Sequence, residues 1–432
     1  MTTIPGSPED RWLKLADAAA ELPERLLLAH ARGEVLFITG AGTSQPSRLP
    51  SFRDLVVRVY ERLDPAVHPV IATPRAPGAP LPPGLSAQQL AEIRRFDRGD
   101  YDVTLGMLER RMDGVATSSV RVREAVCHVL RMVKDAAGNE VPPSPAPIHR
   151  ALMKLAVRGS VATIVTTNFE CLLQTSGGRR NPRPLTYSLG AMPRPSRGND
   201  FAGVLHIHGV LSPDPSRTSE IVVTDRDFGE YYLRRRVVPD FIYDAARLYN
   251  LVLVGYSAND APMRYLLNAV AADGNRFTDL KERFTFFGMD DPFDQVELED
   301  WRGRGITPIP YSNVDGHSQL LRTLERWSKL STFNGDLKFV DRELRRIVQQ
   351  RRANAAKKSR TLFRKASLSA SLPASSMKCA VIRRLRETSG PGSAIVAPAC
   401  SVHSRTRRRS SRTSSTCWPL SSSSASLPWR RT

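Results

Sequence analysis

Six short runs of apolar, β-favouring residues punctuate the chain: "EVLFIT" (34–39), "VATIVT" (161–166), "GVLHIHG" (203–209), "LVLVG" (251–255), "RFTFFG" (283–288) and "ITPIP" (306–310). Near-continuous apolar character over five or six residues marks strands covered on both faces, the habit of parallel sheets. Between these runs lie segments with helical spacing of apolar residues: "DLVVRVYERL" (54–63), "SAQQLAEIRRFDRGDYDVTLGMLERRM" (86–112), "SSVRVREAVCHVLRMVKDAA" (118–137), "PIHRALMKLAVRG" (147–159), "RYLLNAVAADG" (264–274) and "HSQLLRTLERWSKL" (317–330). Alternation of buried strands with helices predicts an α/β fold with a largely parallel sheet flanked by helices. The helices between about 85 and 138 form an insert, and a proline-rich stretch from 65 to 83 reads as a long loop. At the N-terminus, Trp12, Leu15, Ala19, Leu22 and Leu26 recur at near-helical spacing and predict an amphipathic helix. No internal repeat is visible.

The formal net charge of +20 on 432 residues is unevenly placed. Residues 359–432 hold 14 of the 63 Lys and Arg residues but one of the 43 acids, Glu387, together with 19 serines. A segment so poor in apolar periodicity buries too little surface to offset its ordering entropy and is expected to be a disordered basic tail. Its abrupt shift to Ser, Arg, Ala and Pro also fits a GC-rich gene read out of frame. Nucleic-acid affinity, if any, would rest on this tail. The expected domains are a catalytic domain over 1–335, a helical extension over 336–358, and the tail. Outside the tail only Cys127 and Cys171 remain, too few for a four-cysteine zinc site or a disulfide framework. No run approaches the roughly 20 apolar residues that cross a bilayer, and the start of the chain lacks a signal peptide's basic-then-apolar order. A cytoplasmic location is the expectation.

The first strand stops at Gly40-Ala41-Gly42, followed by Thr43 and Ser44. Glycines here allow backbone to approach a diphosphate, and a helix starting nearby would aim free N–H groups at it. A tight turn without ligand explains the same residues equally well, since the third glycine of the dinucleotide fingerprint is missing. Asn168 follows "VATIVT" on a loop, where its amide either caps the next helix or meets a ribose. His206 and His208 are two apart on a strand and so share a face. That spacing suits a metal, but no further ligands complete a site, and a core-facing pair is the plain alternative. Gly255, Tyr256 and Ser257 end a strand at the carboxyl edge, where open α/β sheets bind ligands. Asn259 and Asp260 read equally as an N-cap or as ligand groups. Arg53 either neutralises a diphosphate or holds its loop through a carboxylate.

Four ordered motifs resemble the sirtuin family, in its bacterial sirtuin-like branch. Gly-Ala-Gly-Thr-Ser (40–44) with Leu-Pro-Ser-Phe-Arg (49–53) is similar to that family's Gly-Ala-Gly-Ile-Ser and Gly-Ile-Pro-Asp-Phe-Arg. "TTNFE" (166–170) looks like its Thr-Gln-Asn-Ile-Asp, "HIHG" (206–209) like its His-Gly, and "LVLVGYSANDAP" (251–262) like its Gly-Thr/Tyr-Ser strand end. The resemblance spans roughly 30–330 and implies a Rossmann-like fold that consumes NAD. It implies Asn168 and His208 as catalytic residues: the first at the nicotinamide-side ribose, placing a water, the second as base with an imidazole near its ordinary pKa. It implies cofactor contacts from Gly40, Ala41, Gly42, Thr43 and Ser44 at the diphosphate, from Arg53 and Glu170 towards the nicotinamide end, from Gly255, Tyr256 and Ser257 at the adenosine half, and from Phe52 and Thr167. Glu170 and Ser51 stand where the family has Asp, and Arg48 where it has Gly. The zinc module of the protein deacylases is absent, so no zinc is expected, and water replaces acetyl-lysine as the expected acceptor. The implied reaction is hydrolysis of NAD+ to ADP-ribose and nicotinamide, in antiphage defence by NAD depletion. The alternatives are an NAD-dependent lysine deacylase and a non-catalytic NAD or ADP-ribose sensor. Expected partners are NAD+ and a second copy of the chain or a regulatory protein, with no membrane.

Overall fold

A computed structural model of the chain describes residues 11–75, 80–113, 120–158, 161–177, 184–195, 201–212, 214, 220–256, 280–290 and 294–332. All of these fall in the compact unit Met1–Cys379; a second unit, Ala380–Thr432, lies outside the described residues. The expected helix at 264–274, the extension at 336–358 and the tail also lie outside them, as do Ser257, Asn259 and Asp260.

The chain opens on an antiparallel pair, β1 (Trp12–Lys14) and β2 (Glu21–Pro23), with Trp12 opposite Pro23. The amphipathic helix expected here is therefore confined to α1 (Glu24–Ala31). The reason is Pro23, which biases Leu22 away from helical backbone and stands at the N-cap of α1. Leu15, Ala19, Leu22 and Leu26 are buried all the same. Strand β3 (Val35–Thr39) is buried along its whole length. Then come α2 (Phe52–Leu63), α3 (His68–Ala72), α4 (Ala87–Asp97), α5 (Tyr101–Asp113) and α6 (Arg121–Arg131). The helix expected to reach residue 137 stops at Arg131. Met132 turns extended and leads into a hairpin of β4 (Val133–Lys134) and β5 (Glu140–Val141). The Asp135 carboxylate closes its turn, accepting the N–H groups of Ala137 at 2.8 Å and Asn139 at 2.9 Å, which a helix would have directed elsewhere.

The second half holds α7 (Pro147–Leu155), β6 (Val157–Arg158), β7 (Val161–Thr166), α8 (Leu172–Ser176), β8 (Leu185–Tyr187) and β9 (Gly203–His206). Then follow α9 (Asp225–Phe228), which continues into a π turn over Gly229–Arg234, then α10 (Val237–Leu248) and β10 (Asn250–Val254). The described chain ends with β11 (Arg283–Met289), α11 (Asp294–Gly303), β12 (Thr307–Ser312) and α12 (Ser318–Thr332).

Seven strands form one parallel sheet in the order β12-β11-β10-β3-β7-β9-β8, with β6 pairing antiparallel on β7. This is the Rossmann-like α/β architecture. Side chains alternate between two faces. Val35, Phe37, Ile164, Val252 and Phe284 pack with α1, α7 and α12, whereas Leu36, Ile38, Val165, Leu251 and Leu253 pack with α10 and Trp301. Burying each such side chain contributes about 1.5–3 kcal/mol relative to exposure. Helices α2 to α6 form a third core around Val56, Tyr60, Ile93, Leu105 and Val126. Among the described residues no helix is long and apolar enough to cross a membrane.

From β3 the chain crosses to β7, passes to the edge strand β8, comes back between them as β9, and then returns to β10 on the other side of β3. The β3/β10 junction is thus the sheet's topological switch point, where open α/β sheets form a crevice at the strands' carboxyl ends.

Candidate functional site

The register decides where the motifs meet. Val254 pairs with Thr39, Thr39 with Thr166, and Thr166 with His206. Four strands therefore end abreast, and Gly40, Thr167, Ile207 and Gly255 leave the sheet along one carboxyl edge. Motifs as distant in sequence as Gly40 and Gly255 become neighbours because parallel strands all end on the same side.

The glycines at this edge serve chain-on-chain contact. The N–H of Gly42 donates to Gly255 O at 3.0 Å, and that of Gly40 to Val254 O at 2.9 Å. A Cβ on Gly42 would lie 2.9 Å from Gly255 Cα, and one on Gly40 would lie 2.7 Å from Gly255 O. Gly255 itself has φ +75°, and a Cβ there would lie 2.6 Å from Thr43 N. The turn Ala41–Thr43 is a single 3-10 turn rather than the start of a long helix. Its following N–H groups close back on it, Thr43 N to Gly40 O at 3.0 Å and Ser44 N to Ala41 O at 2.9 Å. Packing of one loop on another therefore explains the two glycines without an anion, and the expected fan of free N–H groups at a helix start is not formed here.

Beside this turn, Asn168 joins the first motif to the second. Its Nδ2 donates to Ser44 Oγ at 2.9 Å, Gly40 O at 3.2 Å and Thr43 Oγ1 at 3.3 Å. A carbonyl oxygen only accepts, so the Gly40 contact fixes which end of the Asn168 amide faces the turn. Ser44 in turn donates to the Glu170 carboxylate. Burial raises Glu170 above the usual carboxylate range, against the opposing hydrogen bonds from Ser44 and Asn168. Thr167 and Tyr256 close the neighbouring gap. Their hydroxyls lie 3.1 Å apart, and Tyr256 also donates to Thr39 O at 3.1 Å.

The two histidines do not share a face. Strand β9 stops at His206 and the chain turns, so the alternation expected for "HIHG" ends one residue into the motif. His206 Nδ1 donates to the Asn168 carbonyl at 2.7 Å, and its Nε2 lies 2.8 Å from Gln174 Nε2. His208 Nε2 lies 2.6 Å from the Tyr232 hydroxyl, with the Phe228 and Tyr232 rings at 5.6 and 5.8 Å. Enclosure by these rings and the sheet edge pushes His208 down to about 3, and burial takes His206 to about 4. The expectation of an imidazole near its ordinary pKa is thereby corrected: both are neutral, and His208 in this arrangement is a weak base. Among the described residues no group of three or more His, Cys, Asp or Glu could hold a metal ion.

Phe52 and Arg53 turn towards the helical cluster. Phe52 packs edge-on to Tyr101 at 6.0 Å; Arg53 lies over the Phe96 ring at 5.3 Å and donates to Ile71 O at 3.4 Å. Of the expected site residues, Gly40, Gly42, Thr43, Ser44, Thr167, Asn168, Glu170, Gly255 and Tyr256 come together, with the exposed Ala41 at the rim. Three residues not anticipated from the sequence join this edge: His149, Gln174 and Tyr232. For His149 a signal was present, a histidine between Ile148 and Leu152 on the buried side of the helix that leads into β7.

A parallel α/β sheet with its motif loops gathered at the switch point is the type of domain in which nucleotides are commonly bound. Residues 162–309 match the family model of the SIR2-like domain, whose members use NAD as substrate. The match supports the bacterial sirtuin-like resemblance of the motifs over these residues. Over 316 residues it is 33% identical to the uncharacterized protein y4cA of Sinorhizobium fredii (strain NBRC 101917 / NGR234), covering 71% of this chain. The chain spans 23% of the length of that relative.

Proposed function

We propose that the chain hydrolyses the nicotinamide–ribose bond of NAD+, releasing nicotinamide and ADP-ribose, and that it acts in antiphage defence by depleting NAD. The observation that carries the reading is the shared carboxyl edge, on which Asn168 bonds both Gly40 and Ser44 while its own carbonyl holds His206. Three of the four family motifs thus meet at one asparagine, which belongs to the second and bonds the first and third. Cleavage passes through an oxocarbenium-like state, so the protein's contribution is to hold the ribose, exclude bulk water and aim one water at C1′. Asn168 is the group that places that water or the ribose hydroxyls. His208 is the base, and NAD+ has to part it from Tyr232 and open its enclosure, since burial opposes proton uptake.

The test mixes the purified full chain with NAD+ in the absence of any acylated peptide and follows nicotinamide. Asn168→Ala and His208→Ala are each expected to lower the rate by roughly a hundredfold or more, the usual size of a lost acid–base or positioning group. Undiminished turnover in both variants rules the assignment out. Release that needs an acylated peptide would identify a deacylase instead. One observation favours a sensor that binds without turnover: His208 Nε2 is held against the Tyr232 hydroxyl, beneath two aromatic rings. Tight NAD+ binding with no nicotinamide release would establish that alternative.

A further inference from the structure

Ser44 sits at the crossing of three side chains, and the direction of its proton follows from donor and acceptor chemistry. The Ala146 N–H donates to His149 Nδ1 at 3.1 Å. A backbone N–H cannot accept, so Nδ1 carries the lone pair and the neutral ring carries its proton on Nε2. That Nε2 lies 3.3 Å from Ser44 Oγ and donates to it. Asn168 Nδ2 donates to the same oxygen at 2.9 Å. A serine hydroxyl has two lone pairs and one proton. Both lone pairs are filled, so the proton is committed to Glu170, the partner that Ser44 reaches in the structure. Burial takes His149 down to about 4, which keeps the ring neutral and the tautomer defined at neutral pH.

The chain from Ala146 through His149 and Ser44 to Glu170 starts at the first turn of α7 and ends on the loop after β7. It connects a helix terminus that touches no expected ligand to the carboxylate beside Asn168. We propose that His149 is a positioning residue of the NAD site: by holding the Ser44 hydroxyl it fixes the direction in which Glu170 and Asn168 present their groups. This rests on the reading of the site as one that binds NAD+. Without His149, Ser44 regains a lone pair and can rotate away, and Asn168 and Glu170 lose a common anchor.

Two measurements on the full chain test this. The first needs no ligand. Long-range nitrogen–proton NMR of ¹⁵N-histidine-labelled protein is expected to show His149 as the Nε2–H tautomer at pH 7, its signals assigned by their loss in His149→Gln. An Nδ1–H tautomer overturns the proposal whatever the protein does to NAD+. The second is calorimetric NAD+ affinity. His149→Ala is expected to weaken binding roughly tenfold, the scale of a lost hydrogen bond to a charged group's partner. His149→Gln, whose amide N–H can reach Ser44, is expected to stay within roughly threefold of the native chain by the same reckoning. Equal losses in both variants indicate packing alone and overturn the proposal, as does native affinity in His149→Ala. If the alanine variant fails to fold, the glutamine variant decides: a loss as large as that of Ser44→Ala overturns it. Absence of NAD+ binding by the native chain sinks the functional reading and with it the role of His149 there, whereas the tautomer result alone bears on the hydrogen-bond chain.

Discussion

Arg48 is the clearest case of a residue at odds with its own backbone. It adopts φ +65°, ψ +14°, in the left-handed region, where the sirtuin pattern has glycine. Left-handed backbone costs an L-residue with a Cβ roughly 1–2 kcal/mol. Against this stand one exposed hydrogen bond, Arg48 Nη1 to Lys134 O at 3.2 Å, and the smaller unfolded-state entropy of arginine. The strain is the larger effect, so Arg48→Gly is expected to stabilise the chain by about 0.5–1 kcal/mol. Denaturant unfolding checks this, and a destabilised variant would show that the Lys134 contact outweighs the strain. The neighbouring departure, Ser51 for Asp, is neutral for the opposite reason. Ser51 is the N-cap of α2 and accepts the Asp54 N–H at 3.2 Å, a task that serine and aspartate perform about equally. Both substitutions could be read from the sequence, but only the backbone angle tells which of them is strained.

The segment over His208 shows what elements add. Residues Thr224–Arg234 are fastened to the helical cluster by Arg123, which bonds Asp227 at 2.7 Å, Glu109 at 3.0 Å and the Ile221 carbonyl at 3.0 Å. All three side chains are largely shielded from water, at 19, 13 and 16% exposure for Arg123, Asp227 and Glu109. Removing the arginine strips two shielded carboxylates of their counter-charge, although Asp227 keeps hydrogen bonds from Val223 N, Thr224 N and the Thr224 hydroxyl, so Arg123→Ala is expected to cost about 3 kcal/mol. Hydrogen exchange is expected to rise chiefly in residues 220–236, and uniform loss of protection across the sheet would show that the segment is not a separate unit. The sequence revealed little of this arrangement. Strands β3, β7, β9, β10 and β11 were legible because burial leaves near-continuous apolar runs, and the edge strand β12 through its alternation of Ile and Pro. Helix α10 was not, because Pro239 and the run Arg234-Arg235-Arg236 look like interruption, although Pro239 lies in the first turn, where proline fits. Of the site, the residues on the strand ends were legible from motifs. Tyr232 was not, and His149 only as a histidine on the buried side of its helix, since their roles arise from contacts between elements distant in sequence.

Across the whole domain, three imidazoles are held neutral by burial: His149 and His206 at about 4 and His208 at about 3. In the unfolded chain each titrates near 6.5. Between these values the unfolded state binds protons that the folded state does not, so stability falls as pH drops from about 6.5 towards 4. With three such groups the slope approaches about 4 kcal/mol per pH unit once all are protonated in the unfolded chain. Glu170, Asp102 and Glu109 act in the other sense: burial raises each carboxyl, so the folded state holds a proton above the unfolded value, which favours folding as pH falls and offsets part of that slope. A domain with about 5–15 kcal/mol of stability exhausts it within a few pH units on such a slope. Acid unfolding followed by circular dichroism is therefore expected with a midpoint near pH 4–5, and His206→Asn is expected to move it lower by removing one of the three protons taken up. Stability unchanged between pH 7 and pH 4 would mean that these rings are protonated in the folded chain, and that the closed packing of His206 on Asn168 and of His208 under Tyr232 is not its resting state.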